Sequence, residues 1–221
     1  MQLRCLFVFL LAPPARGWEL GRFVKQALFF NNPLRPKTSP ATAAPVARVL
    51  MPRDGVEWGP LDDVVMGGAS SSSWLDGPPA TWAGTVTCEG GGGFAGARCQ
   101  ALRPPVDASK SRGVKLRGLR NTDAQKVRRY KFIVRDDEAW NGVAWTWTVD
   151  VRGDRAKDFQ LPFDEAVPTR FAKTLTGVQL DTSKLTGLQL TYSKFEFDGG
   201  INPTFTEGPF GLEVASIELY N

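Results

Sequence analysis

The stretch EGGGGFAG, residues 89–96, spells G-x-G-x-x-G at Gly91, Gly93 and Gly96, and its reading decides the fold. A dinucleotide fingerprint requires a strand before it and a helix after it whose amides and dipole hold the pyrophosphate. It also requires an acid about 20 residues on, for the ribose. After Gly96 the chain runs ARCQALRPPVD, strand-like and then broken by Pro104 and Pro105, and near residue 116 it reads GVKLRGLR, with no acid. The helix is missing. TVTCEGGGGFAGARC (85–99) therefore reads as two strands joined in a hairpin by a glycine turn whose residues take φ > 0.

The pattern continues outward from that turn. RRYKFIVR (128–135) alternates Tyr130, Phe132 and Val134 with Lys131, Ile133 and Arg135, and AWTWTVD (144–150) alternates Trp145, Trp147 and Val149 with Thr146 and Thr148. GVKLRG (113–118) sets Val114 and Leu116 against Lys115 and Arg117, and LEVASIELY (212–220) sets Val214, Ser216 and Glu218 against Ala215, Ile217 and Leu219. Period two in aromatic and β-branched residues, punctuated by Gly, Pro and Asp, predicts short half-buried strands. From 54 to 221 no helical period is sustained, and prolines at 104, 105, 162, 168, 203 and 209 break the chain. The expected class is all-β, a jelly-roll β-sandwich in one domain over 54–221.

Composition narrows the chemistry. The 221 residues contain no histidine, which removes Ser-His-Asp and Cys-His nucleophile pairs, His-ligated metals and imidazole bases. Of 27 basic and 23 acidic residues, six and one lie in 1–45, leaving 21 and 22 in the body. The basicity belongs to the leader and argues for no nucleic-acid role of the body. Cys5 lies in that leader. A hairpin would place Cys88 opposite Ala95 and hold Cys99 too far along for a disulfide, so both are expected as reduced thiols in or beside strands.

MQLRCLFVFLLAPPARG (1–17) reads as a signal-like presequence, too short to span a bilayer. Residues 18–53 read as a transit-like or docking segment and linker. Within them WELGRFVKQALFF carries Leu20, Phe23 or Val24, and Ala27 or Leu28 at helical spacing, with Arg22 and Lys25 opposite. NNPLRPKTSPATAAPVAR that follows is Pro/Thr/Ala-rich. A signal followed by an acid-poor segment suggests a two-step plastid address; a mitochondrial presequence, secretion, and a short amphipathic helix retained on the mature protein are the alternatives.

A second glycine stretch carries a resemblance. WGPLDDVVMGGASSSSW (58–74) has a Trp, an acidic pair and V-M-G-G-x-S. WAGTVTCEGGGGFAGARC (82–99), SRGVKLRGLRNTDAQKVRRYKFIVRD (111–136), DFQLPFDEAVPTR (158–170) and GPFGLEVASIELY (208–220) follow in order. Together these motifs resemble the complex I intermediate-associated protein family over roughly residues 54–220. The resemblance implies a galactose-binding-like β-sandwich. It also implies an assembly factor that, in mitochondrial relatives, holds an intermediate of the respiratory NADH dehydrogenase. Relatives in photosynthetic organisms, some fused to a dehydrogenase-like domain, associate with plastid complexes, and WELGRFVKQALFF resembles a segment preceding the domain in some of them.

Several residues are candidates for a site. Asp62, Asp63 and Ser70 flank Gly67 and Gly68; the carboxylates could ligate a hard cation or sugar hydroxyls, or cap backbone N–H groups of a tight turn, and no EF-hand spacing is present. Arg98 and Arg117 could hold a carboxylate or phosphate, or pair internally with Asp62 or Asp63. Ten basic residues and only Asp123 lie between Lys110 and Arg135, an RNA-binding or acidic-partner surface or else a solvated strand face. Trp145 and Trp147 share a face as core residues do, and Trp140 in DEAWNG is a candidate exposed stacking residue. The loops 62–73, 120–127 and 196–208 are expected to supply recognition.

The expectation is thus a non-enzymatic, chaperone-like module that uses no cofactor or metal and binds subunits of an organellar membrane complex. The alternative is a carbohydrate-binding module. A glycosidase-type carboxylate pair cannot be picked out.

Overall fold

The computed structural model describes residues 17–31 and 49–221, with side chains in the first segment described from Gly21 to Phe30. The signal-like stretch 1–16 and most of the Pro/Thr/Ala-rich segment lie outside the described residues. Helix α1 (Gly17–Asn31) is followed by β1 (Val49–Met51), β2 (Trp58–Pro60), β3 (Ser71–Leu75), β4 (Ala80–Val86), β5 (Phe94–Cys99), β6 (Gly113–Asn121) and β7 (Val127–Arg135). Then come β8 (Ala144–Arg152), β9 (Lys157–Pro162), β10 (Val167–Arg170), β11 (Lys173–Thr174), β12 (Gly187–Ser193), β13 (Gly208–Val214) and β14 (Ser216–Tyr220).

These strands form two antiparallel sheets packed face to face, as the alternation predicts. One runs β1-β14-β6-β13-β4-β3 with β9 on the free side of β6, and the other runs β11-β10-β8-β7-β12-β5-β2. Their inner faces share one core. Trp82 packs edge-on against Phe210 at 4.9 Å and Tyr130 at 6.0 Å. Around them Phe132, Val134, Leu116, Leu119, Leu188, Leu190 and Tyr192 are fully buried. Each such side chain removed from water contributes about 1.5–3 kcal/mol.

The first departure from the sequence reading concerns the glycine turn. Strand β4 pairs with β3 and β13, whereas β5 pairs with β2 and β12. The stretch 87–93 therefore carries the chain from one sheet to the other and closes no hairpin. Its positive φ values are real, +68° at Gly90, +79° at Gly91 and +129° at Gly93, but they serve a crossover at the sandwich edge. Cys88 consequently does not face Ala95, which pairs with Tyr192. Both Cys88 and Cys99 are free thiols, and buried Cys99 accepts a hydrogen bond from Leu188 N at 3.1 Å.

The closing strand also departs from a single alternation. Val214 and Ile217, three residues apart, are both fully buried. β13 and β14 lie end to end along the same edge of β6, and the break at Ala215 faces Gly118, whose φ is +61°. A residue is absorbed there, so the phase shifts and both halves keep their apolar side inward.

Residues 49–51 already belong to the sandwich, because β1 pairs with β14. Helix α1 packs against the sandwich beside β2 and the short turn that follows it. Its inward side is only partly the one the spacing suggested: Phe23 and Ala27 are half-buried and Lys25 is exposed, in keeping with it. Gln26 is buried, Val24 and Leu28 are exposed, and Arg22 turns toward the sandwich rather than away from it. The reason lies in β2: Gly59 leaves a notch in which the Phe29 ring sits so close that a Cβ there would come within 2.5 Å of it.

Gly59→Val is therefore expected to expel Phe29 and loosen α1 while the sandwich stays folded. Limited proteolysis checks this: cleavage within 17–31 should rise about tenfold or more, consistent with losing the burial of one aromatic ring, with residues 49–221 still resistant.

Candidate functional site

The two glycine stretches and the acidic pair meet at one end of the sandwich. The carboxylate of Asp63, fully buried, accepts from Ser70 N at 2.9 Å, Ser70 Oγ at 2.7 Å, Gly93 N at 2.8 Å and Phe94 N at 3.2 Å. That of Asp62, also buried, accepts from Ser72 N at 2.8 Å, Ser72 Oγ at 2.6 Å and Gly96 N at 3.3 Å. Ser72 belongs to β3 and Gly96 to β5, so Asp62 bridges the two sheets. The glycines supply room: a Cβ on Gly68 would lie 2.4 Å from the Asp63 carboxyl carbon, and one on Gly92 would lie 2.3 Å from its Oδ2. At Gly67, φ is +88°.

A cradle of backbone N–H groups in a glycine-rich turn is the usual device for holding an anion. Here the anion is the protein's own carboxylate. Asp62, Asp63, Gly67, Gly68 and Ser70 thus come together in a buried structural knot, the backbone-capping alternative carried further than a single turn. The segment 62–73 is for that reason not the exposed recognition loop expected, although Met66 at its tip is 66% exposed. Among the described residues no group of three or more His, Cys, Asp or Glu side chains is placed to hold a metal ion.

Neither Arg98 nor Arg117 pairs with these acids; Arg117 does pair internally, as expected, but with other carboxylates. The cation at Asp62 is Arg22 of α1, 3.5 Å from Oδ2, and it also donates to Ser70 O. Arg117 stands on β6 at the other sheet, between Asp158 and Glu218, 3.7 Å from each. Strand pairing puts Gly59 opposite Arg98, and a glycine leaves no side chain at that point. Arg98 instead extends along the outer face of its own sheet.

There Arg98 takes part in a second arrangement. It is 8% exposed, its Nε donates to Gln189 Oε1 at 3.0 Å, and Gln189 Nε2 donates to Thr191 Oγ1 at 3.0 Å. The guanidinium carbon lies 5.3 Å from the Trp140 ring centre and 5.9 Å from that of Phe30, whose rings meet edge to face at 5.7 Å. Trp140 is half-buried against α1 rather than standing free. Phe30, Arg98, Arg135 and Trp140 line a small cleft of about 70 Å³ together with Asp137 and Thr186. Of these, Phe30, Arg135 and Gln189 were not singled out from the sequence. Alternation does put Arg135 on the outward side, but its proximity to Arg98 depends on β12 lying between β7 and β5.

The basic run between Lys110 and Arg135 is spent internally. Arg128 is 1% exposed and donates to Tyr192 Oη, Thr206 Oγ1 and Pro209 O at 2.7–2.9 Å. Lys131 donates to Phe195 O and Glu196 O, both at 2.8 Å, and burial lowers its ammonium pKa to about 8. Arg129 bonds Asp150 and Glu196, Arg120 bonds Glu213, and Lys115 pairs with Asp158. Tyr130 and Phe132 point into the core, as does Trp147, whose Nε1 donates to Pro162 O at 2.9 Å; Trp145 is also buried. The strand face is solvated at Arg117, Arg120 and Lys126, as expected, while Arg128, Arg129 and Lys131 anchor loops and neighbouring strands.

With this geometry in place, the comparisons with known proteins can be read. The sequence profile described as Complex I intermediate-associated protein 30 (CIA30) matches residues 51–214. The chain belongs to this family. No curated protein matches the chain. Among solved structures, a family 11 carbohydrate-binding module of a cellulosomal cellulase of Clostridium thermocellum superposes with a TM-score of 0.56 at 16% identity. That likeness covers 81% of this chain and 96% of the other. The Clostridium thermocellum module in complex with a β-1,3-1,4-mixed-linked tetrasaccharide gives 0.55 at 16% identity, covering 81% and 98%. At such identities the likeness establishes the galactose-binding-like jelly-roll fold of this CIA30 member and nothing of what it binds. No helix among the described residues is long and apolar enough to cross a membrane.

The knot has a pH signature. Burial pushes the Asp62 carboxyl up from 3.8 to about 6, against the hydrogen bonds from Ser72 and Gly96 and the charge of Arg22, all of which pull it down. The folded state then holds a proton that the unfolded chain has lost, so stability falls as pH rises from about 4 through about 6. That rise corresponds to about 3 kcal/mol at 1.36 kcal/mol for each tenfold. Denaturant titrations at several pH values should show Asp62→Asn gaining on the wild type between pH 4 and 7, whatever its constant offset.

Proposed function

We propose that this CIA30-family protein is a non-enzymatic assembly factor that holds a subunit of an organellar membrane complex, of respiratory NADH dehydrogenase type or photosynthetic, before the complex is complete. The observation that carries the reading is the family match across the sandwich from 51 to 214. The family's description itself speaks of a complex I intermediate. A rigid scaffold suits that work, because an unfinished subunit needs a surface that does not reorganise.

Recognition falls to the outer face of the second sheet and the loops at its rim. Phe171, Phe195 and Ile201 are exposed by 79%, 43% and 60%. The loops bearing them are tied together by Asp198 N donating to Ala172 O at 2.9 Å and by the Asp198 bond to Thr174 N at 2.8 Å. Exposed apolar residues held in a fixed arrangement are what a protein interface uses. Release must follow assembly, so the interface is modest in area and partly polar. The compartment in this reading is a plastid or a mitochondrion, reached through the leader, with 1–17 as presequence and the transit or docking segment and linker from 18 ending before β1 at Val49.

A second reading has one observation of its own. The hydrogen-bonded row Arg98–Gln189–Thr191 beside Trp140 places polar groups and an aromatic ring on one face, as sugar recognition requires.

Affinity purification of the full chain from isolated organelles tests the proposal. Recovery of subunits of a membrane complex, enriched when assembly is stalled, is the expected result. Retention on mixed-linked glucan with no such subunits recovered would replace it with the carbohydrate reading.

A further inference from the structure

Buried Arg98 and half-buried Arg135 stand side by side, and neither makes an ion pair with an acid among the described residues. Arg98 and Arg135 both line the cleft beside α1. Arg98 spends its Nε on Gln189 Oε1, and no described residue takes its two terminal amino groups. Arg135 gives one Nη to Gly142 O at 3.2 Å, while its Nε is buried with no partner. Arg128 and Lys131 each find two or more acceptors, although Arg128 Nε is itself buried without one. A guanidinium brought out of water without a partner is costly, and two in one cleft repel each other besides.

We propose that this cleft binds a carboxylate, that of an aspartate or glutamate side chain on the protein client. The source of the carboxylate rests on the assembly reading above; the site itself does not. The planar fork of Arg98 fits a carboxylate's two oxygens, and the Trp140 and Phe30 rings flank the guanidinium. The cleft's small volume admits an end group and not a ring system.

The neighbouring charges favour a single negative charge over two. Asp137 is the acid whose field reaches both arginines; it accepts from Ala139 N at 2.9 Å. Glu138 is taken by Arg103, and Asp136 accepts from Asp181 N at 3.0 Å. Cys99, beside Arg98, has its thiol pushed up to about 12 by burial and adds no charge at neutral pH. Two cations against the charges of Asp136 and Asp137 leave the cleft near neutral, a balance that one carboxylate upsets less than a phosphate dianion. Burial, and then the charge of Arg135, lower the Arg98 guanidinium to about 9, and burial lowers Arg135 to about 10. A bound anion would raise both.

The test uses the full chain with ¹⁵N-labelled arginine and follows the Nε–Hε resonances of Arg98 and Arg135 during titration with sodium acetate. Sodium chloride at matched ionic strength and inorganic phosphate are run in parallel. Saturable shifts of both resonances with acetate are expected, and Arg135→Gln should weaken that binding about tenfold, the worth of one charge-assisted contact. Backbone amide spectra establish that the variant is folded, and Trp140→Ala provides a second variant that leaves both charges in place and should weaken acetate less. Shifts with acetate no different from those with chloride would overturn the site. Tighter saturation with phosphate would overturn the assignment to a carboxylate. If acetate fails to bind while membrane-complex subunits still co-purify, the cleft is wrong and the assembly reading stands.

Discussion

The fold depends on two carboxylates placed where water cannot reach them. An ionised side chain buried alone would destabilise the protein by several kcal/mol, yet Asp63 is met by four donors and Asp62 by three, with Arg22 beyond. Those donors come from chain segments that would otherwise be independent: Ser70 just before β3 and Ser72 within it, the glycine crossover and the first half of β5. Because β3 and β5 belong to different sheets, the acidic pair holds the sandwich closed at this end as the core holds its middle. The same requirement dictates the glycines. Gly68 and Gly92 are small because the Asp63 carboxyl occupies the space of their missing side chains, and Gly90 is small because the carbonyl of Gly67 would stand 2.3 Å from a Cβ there.

Seen this way, the G-x-G-x-x-G of residues 91–96 and a nucleotide-binding loop share one physical principle. Both present backbone N–H groups to an anion. They differ in where the anion comes from, and a carboxylate supplied from thirty residues upstream leaves nothing for a phosphate to do. Sequence alone could reject the nucleotide, since no helix or ribose-binding acid follows. It could not identify the replacement, because nothing in EGGGGFAG indicates that LDD at 61–63 folds into it.

That division between local and long-range information runs through the molecule. Alternation made the strands legible: Tyr130, Phe132, Val134, Val114, Leu116 and Trp147 all point inward, because period two is a property of the strand itself. Features that depend on which strand lies beside which were misread. The crossover at 87–93 looked like a hairpin because neighbouring strands so often pair, and Arg98 was given an acidic partner that Arg22 takes instead. The inward turn of Arg22 and Gln26 in α1 is fixed by Phe29 in the notch at Gly59, which no periodicity within the helix reports. Arg128 and Lys131 resembled surface cations, yet alternation alone would have sent Arg128 inward with Tyr130.

The functional picture follows from how these charges are spent. Most cations of the 110–135 segment secure loops or neighbouring strands, which stiffens the scaffold and removes them from recognition. The pair at the cleft is different. It stands next to a helix from outside the sandwich and two aromatic rings, on the outer face of the sheet whose rim loops expose Phe171, Phe195 and Ile201. On the assembly reading we propose, this surface would grip an acidic, partly apolar segment of an unfinished complex.

The central claim, that the glycine cradle is filled from within, is tested most directly by native-state hydrogen exchange at the amides of Ser70, Ser72, Gly93, Phe94 and Gly96. With Asp62 and Asp63 as their permanent acceptors, these amides should exchange only through global unfolding, at the rate of core amides and unchanged by added dinucleotide. Fast exchange in the free protein, with protection appearing only when a nucleotide is supplied, would contradict the account.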